Sequence, residues 1–231
     1  MQRNAERDNA TAPEDAARSR EQEVVIGPVG LAGILVLPQP GKGTVVFAHG
    51  SGSGRKSPRN NQVARQLQGA GLGTLLLDLL TEEEARDRAN VFDIELLARR
   101  LILASDWLRE REDARTMPVG FFGASTGAAA ALVAETYSVP PISAIVSRGG
   151  RPDLAGPALL KVRAPTLLIV GSLDHGVIEL NQEALAQLTC EKEIAIVNGA
   201  GHLFEEPGTL DMVVQLARRW FDLRLRTPVS R

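Results

Sequence analysis

Cysteine is almost missing from this chain: Cys190 is the only one in 231 residues. A single cysteine excludes an internal disulfide framework and any multi-cysteine zinc site. It suits a reducing compartment, and a cytoplasmic location is the expectation. Histidine is nearly as scarce, with only His49, His175 and His202, so a catalytic base has few candidates. Neither sign of charge is in excess. The formal net charge is -2, so no global positive field draws the chain to nucleic acid or to a membrane surface. Long hydrophobic runs are missing too. The richest, Leu75-Leu76-Leu77 and Leu167-Leu168-Ile169-Val170, are strand-sized, far short of the roughly 20 apolar residues of a membrane span.

What remains is ordinary for a soluble globular protein: 44% hydrophobic and 23% charged residues. The length fits one α/β domain. Residues 1–22 are polar and charged, without the apolar core of a signal peptide, and read as a flexible tail before a domain over residues 23–231. Strands are expected at Glu23–Ile26, Leu31–Leu37, Thr44–Ala48, Thr74–Asp78, Met117–Phe122, Ile142–Val146, Thr166–Val170 and Glu193–Val197. Helices are expected after the Ser57-Pro58 cap, from Asp93 to Arg111, from Ser125 to Tyr137, from Glu179 to Leu188, and from Thr209 onward. A short helical segment is expected near Leu154–Lys161. The charged stretch between Glu82 and Asp93 reads as a solvated connection, with a mobile cover over a site as the alternative. Apolar strands alternating with helices imply an α/β fold, with a mostly parallel sheet of seven or eight strands and helices on both faces.

In such a sheet, ligands bind beyond the carboxyl ends of the strands. The polar residues just past those ends are His49–Gly54, Asp78, Ser125, Ser147–Arg151, Asp174 and His202. Residues 119–132, VGFFGASTGAAAAL, set one serine between glycines at a strand-to-helix junction. Ser125 there is either a helix cap or a nucleophile on a tight turn.

Four motifs in order separate these readings: His49-Gly50-Ser51-Gly52, Gly123-Ala124-Ser125-Thr126-Gly127, Gly171-Ser172-Leu173-Asp174 and Gly199-Ala200-Gly201-His202. Over roughly residues 23–225 the chain resembles an α/β-hydrolase, and more narrowly the small dienelactone hydrolase-like group. The order Ser125, Asp174, His202 is the α/β-hydrolase order. One departure stands out. Dienelactone hydrolases carry cysteine in the elbow where this chain has Ser125, which points to serine-esterase chemistry.

The roles follow from chemical need. A serine hydroxyl needs an adjacent base, and imidazole, which titrates near neutrality, can be one. His202 takes that role, and Asp174 would hold its tautomer. The N–H of Thr126 would bind the oxyanion, with a second donor from Ser51 or Gly52. Asp153 is the alternative acid. Asp78 reads as a structural partner, His49 as a shaper of the oxyanion loop, His175 as an exposed neighbour and Cys190 as a small hydrophobe. Arg55, Arg148 and Arg151 read either as solvated or ion-paired residues or as cleft cations that favour an anionic substrate. No metal or organic cofactor is implied. The interval from Val146 to Thr166 leaves room for a loop and one short helix, so no large lid is expected.

The reading is a serine hydrolase of small carboxylic esters. Thioesterase, lactonase, small peptidase or amidase, and perhydrolase activities would use the same residues. A non-catalytic binding protein on the same fold is the rival from another class. The partner is then a small-molecule ester, with no nucleic acid and no membrane. Oligomeric state and natural substrate are left open by the sequence.

Overall fold

Leu75, Leu76 and Leu77 send apolar side chains to both faces of one strand, and that pattern recurs at the centre of the sheet. The computed structural model describes residues 21–225. Most of the expected tail lies outside the described residues, and Gln22, assigned to it above, opens the first strand. In chain order the elements are β1 (Gln22–Ile26), β2 (Leu31–Val36), β3 (Thr44–Ala48), α1 (Pro58–Gly69), β4 (Gly73–Leu77), α2 (Arg88–Phe92), α3 (Ile94–Glu110) and β5 (Val119–Ala124). They continue with α4 (Thr126–Tyr137), β6 (Ala144–Arg148), β7 (Thr166–Gly171), α5 (His175–Gln187), β8 (Lys192–Val197) and α6 (Thr209–Arg224).

The eight strands form one sheet in the order β1-β2-β4-β3-β5-β6-β7-β8. β2 is antiparallel to both β1 and β4, and every other pair is parallel. The strands from β3 to β7 are buried along their whole length, as both-face coverage requires. Along β5 the faces alternate. Phe121 joins the core under α3 and α4, and Phe122 joins the one under α1 and α6. Phe122 and Phe47 of β3 pack with ring centroids 4.9 Å apart. At the far edge, Lys192 and Glu193 of β8 are exposed, charges that discourage edge-to-edge pairing.

Strand order reverses beside β3: the chain steps outward to β4, then returns to β5 on the other side. Loops leaving β3 and β5 therefore diverge, and the crevice between them is where an open α/β sheet binds ligands.

Several boundaries differ from those read in the sequence. β5 starts at Val119, because Pro118 has no N–H for the ladder. β6 runs on through Ser147 and Arg148, which pair with β5 and β7 on either side. Pairing on both edges overrides the polar residues. α5 begins at His175, a turn earlier than its apolar pattern, because Val177 and Ile178 both donate to the Asp174 carbonyl. The stretch read as a solvated connection holds a 3₁₀ turn at Glu84–Arg86 and the short helix α2. The β6–β7 connection holds a 3₁₀ segment, Pro152–Lys161, interrupted at Gly156.

His49 fastens the loop after β3. The N–H of Leu79, past the end of β4, donates to Nε2 at 3.0 Å. Nδ1 lies 2.9 Å from the Gly50 carbonyl. A carbonyl only accepts, so Nδ1 carries the proton and the ring is neutral. Burial pushes its pKa below the ordinary 6.5. The unfolded chain therefore binds a proton more readily than the folded one. The resulting stability is fully present above about pH 6.5 and is lost as pH falls below that value. The melting-temperature gap between the native protein and His49→Gln is expected to be widest at pH 7 and to narrow toward pH 5. A gap that stays constant across that range would mean that His49 is not held neutral.

Candidate active site

The turn from β5 into α4 leaves no room for side chains. A Cβ on Gly123 would lie 2.5 Å from Ala128 Cα, and one on Gly127 would overlap the Ala48 carbonyl. The chain passes this point by turning at Ser125 with φ 50° and ψ −122°. That conformation costs a non-glycine residue about 1–3 kcal/mol. Ser125 holds the N-cap position of α4, yet its side chain makes no capping hydrogen bond. Its carbonyl accepts instead from Ala128 and Arg151, both at 3.1 Å. The hydroxyl is left for other work. The loop after β3 lies against it: a Cβ on Gly50 would stand 2.9 Å from Ser125 Cβ.

Asp174 repeats this economy. It occupies the N-cap of α5 with no side-chain cap, and its Oδ2 accepts from His202 Nδ1 at 2.7 Å. With the proton on Nδ1, the neutral ring presents Nε2 as an acceptor. The two loops are laced together. Ser172 donates to Val197 and Leu173 to Ala200, each at 2.9 Å, and Gly199 donates to Ser172 Oγ at 2.8 Å. Asp153, the alternative acid, is held instead by both arms of Arg151 at 2.9 and 2.8 Å.

Gly149 bridges the two halves of the site. It follows Arg148, whose carbonyl accepts from Ser125 N at 3.4 Å, and a Cβ on it would lie 3.7 Å from His202 Nδ1. Ser125 and His202 thus approach consecutive residues of one strip, with no hydrogen bond between them. Such bonds are often long in unliganded sites and tighten with substrate.

The N–H of Thr126 is the first of α4 and has no intrahelical acceptor. It sits at the positive end of the helix dipole. Ser51 and Gly52 lie on a turn closed by Ser53 N donating to Gly50 O at 3.2 Å. Thr126, Ser51 and Gly52 line one cavity of about 460 Å³, which ends on Leu80, Val91 and Leu97. Among the described residues no group of three or more His, Cys, Asp or Glu could hold a metal ion.

Each of the three arginines singled out in the sequence has a partner within the protein. Arg55 lines the cavity, but its guanidinium is paired with Asp78, which also accepts from Arg55 N at 2.7 Å. Arg151 is paired with Asp153. Arg148 was expected past the end of its strand; it is the last residue of β6 and only 7% exposed. It donates to Asn60 Oδ1 at 3.4 Å and lies 6.0 Å from the Phe204 ring. Burial, with Arg59 nearby, lowers its pKa to about 10. His175 is exposed. Cys190 lies at the opposite end of the sheet, 3.9 Å from Thr166 Oγ1, where burial pushes its thiol up.

Two residues of the histidine loop escaped the sequence reading. Glu206 Oε1 accepts from Gly201 N at 3.1 Å, and backbone N–H groups hold its carboxyl below the usual range. Phe204 is buried at φ 55°. Nothing in the spacing separates Glu206 from Glu205, so no sequence signal marks it.

No family model matches the chain. Two Mycobacterium tuberculosis proteins are 58% identical to it over 210 residues, which is 91% of this chain and 47% of each of them. The chain thus spans about half the length of these curated relatives, which are provisionally described as phosphoribosyl transferases. A Pyrococcus furiosus esterase shares the fold at 16% identity, with a TM-score of 0.72 over 90% of this chain and 92% of that one. The crystal structure of a dienelactone hydrolase from Anabaena variabilis is 54% identical, with a TM-score of 0.85, and the match covers 89% of this chain and 99% of that one. Shared sequence, shared sheet and near-complete coverage agree: this chain belongs to the dienelactone hydrolase family of the α/β-hydrolases.

Proposed function

We propose that the chain hydrolyses small carboxylic esters through a Ser125–His202–Asp174 triad. One observation carries this reading. Ser125 and Asp174 both occupy helix N-caps, neither caps, and Asp174 meets His202 at 2.7 Å. Ser125 Oγ attacks the ester carbonyl carbon while His202 Nε2 takes the hydroxyl proton. The oxyanion sits at Thr126 N–H and at a donor from Ser51 or Gly52. The C–O bond to the alcohol breaks, and His202 gives its proton to the leaving oxygen. Water, deprotonated by His202, then releases the acid and restores Ser125. The description of the mycobacterial relatives refers to proteins about twice this length and is not carried over to this chain.

Three outcomes are expected. Ser125→Ala folds normally and lowers kcat on the order of 10⁴-fold; a folded variant that retains esterase activity would discard the reading. Asp174→Asn is far more damaging than Asp153→Asn, since Asp174 orients the base and Asp153 serves Arg151. The reverse ranking, with both variants folded, would move the acid to Asp153. Finally, the β6–β7 connection supplies no helical lid, so a long chain finds little apolar wall beyond the cavity. Each buried methylene adds at most about 0.8 kcal/mol. Across p-nitrophenyl esters, kcat/KM is expected to be higher for acetyl to butyryl than for palmitoyl, with no jump at the micellar limit. A maximum at palmitoyl would contradict a lidless site.

A further inference from the structure

The cavity beside Ser125 is one-sided. Its lining includes Gly50 and Thr126, which adjoin Ser125, and Ser51, while Ser125, His202 and Asp174 themselves do not line it. That matters because an ester has two halves. In acyl transfer the imidazole hands its proton to the departing alcohol, so the alcohol lies on the histidine side. The carbonyl oxygen lies at the oxyanion donors. The third substituent, the acyl chain, must then point away from histidine, into the space the oxyanion loop borders. Resting on the serine-hydrolase reading above, we propose that this cavity is the acyl pocket, that it admits uncharged acyl groups, and that Ala85 and Val91 set the size it accepts.

The wall these two residues occupy is built to hold its shape. Thr81 N donates to Glu84 Oε2 at 3.0 Å and Glu84 N to Thr81 Oγ1 at 3.2 Å, a reciprocal pair. Asn90 Nδ2 donates to the Glu84 carbonyl at 2.9 Å. The Glu84 carboxylate is also paired with Arg100 on α3. The Thr81 N–H and Arg100 keep that carboxyl below its ordinary pKa, so the anchor stays charged at neutral pH. Val91 packs on the same core as Leu97. A wall anchored at Glu84 gives the cavity a fixed end.

Charge argues for a neutral acyl group. The Arg55 cation is matched by Asp78, and Glu82, exposed at the rim, adds a negative charge with no ion-pair partner among the described residues. An acyl chain ending in a carboxylate would meet Glu82 with no free cation among the lining residues. A charge removed from water without a partner is costly.

Two ester series on the intact protein test this. One varies the acyl group from acetyl to decanoyl on p-nitrophenol; the other varies the alcohol of an acetate. Ala85 is exposed, so a substitution there spares the core, and Val91 is half-buried at the margin of the core, so the melting temperature of Val91→Ala is measured beside its kinetics. Ala85→Phe is expected to lower the octanoyl-to-acetyl ratio of kcat/KM about tenfold, and Val91→Ala to raise it several-fold, in line with pocket discrimination of a methylene or two. The alcohol profile is expected to hold within about twofold, since those contacts lie elsewhere. Butyrate is expected to be preferred over hemisuccinate, with Glu82→Gln narrowing the preference. If the alcohol profile moves and the acyl profile does not, the cavity holds the leaving group and the proposal is overturned. If neither moves, the cavity lies off the reaction path, and the proposal is again overturned. Failure of the underlying reading looks different: no ester is hydrolysed and a fluorophosphonate leaves Ser125 unlabelled. Should labelling occur without turnover, labelling rates with alkyl fluorophosphonates of rising length must show the same Ala85 and Val91 shifts, or the proposal falls.

Discussion

The carboxyl ends of β3 and β5 meet the first turn of α4 with no space for a side chain between them. Gly127 lies against the Ala48 carbonyl and Gly123 against Ala128. Because the backbones touch, the chain cannot leave β5 gradually; it must reverse at Ser125, and the positive φ follows. The strain of about 1–3 kcal/mol is met locally. Ala128, Ala129, Ala130 and Ala131 are all fully buried. At about 0.8 kcal/mol for each small apolar group, they offer about 3 kcal/mol in total as an upper figure. Alanine also suits this helix because it folds helically at little entropic cost and lets α4 lie close to the sheet. The turn at Ser125, the free N–H of Thr126 and the crevice beside β3 are consequences of one contact.

Helix caps show how the same residue types are put to two uses. Ser57, Asp87 and Asp93 each accept a hydrogen bond from their own helix. Ser125 and Asp174 stand at equivalent positions and decline it. A side-chain cap contributes roughly 1 kcal/mol, so each helix forgoes that much. At α4 the backbone strain turns the hydroxyl away from the helix. At α5 a short charge-assisted bond to His202 outweighs the cap.

Much of this was legible in the sequence, and the reasons for the rest are specific. The Ser125, Asp174 and His202 loops announced themselves because each follows an apolar strand and carries glycine. The two uses of a cap residue cannot be told apart from spacing, since only geometry shows where the side chain goes. Arg148 read as a residue past its strand because polarity usually ends strands; ladder pairing on both edges carried it inward. The charged stretch after Glu82 read as solvated because its acids and bases dominate the pattern. Its structure hangs on Glu84 meeting Arg100, a contact between distant turns that periodicity does not see. Glu206 was invisible because nothing in the spacing separates it from Glu205.

The two halves of the site are held by different kinds of force. The elbow at Ser125 is fixed by backbone against backbone, with no side chain to exchange. Asp174 and His202 are fixed by side chains tying loops: Ser172 to Gly199, Glu206 to Gly201, Arg59 to Glu205. The arginines near the site tie loops in the same way, in both halves. Arg55 pins the β3 loop to Asp78, Arg151 steadies the turn after β6, and Arg148 links α1 to Phe204. Cations committed to fastening loops are not available to attract substrate. The same demand for fixed loops thus leaves the cavity lining without a free positive charge. A substitution in the first half must move the sheet or the helix. One in the second half can adjust a single loop, so variation in this site has its room on the histidine side and on the wall around Ala85, away from the elbow.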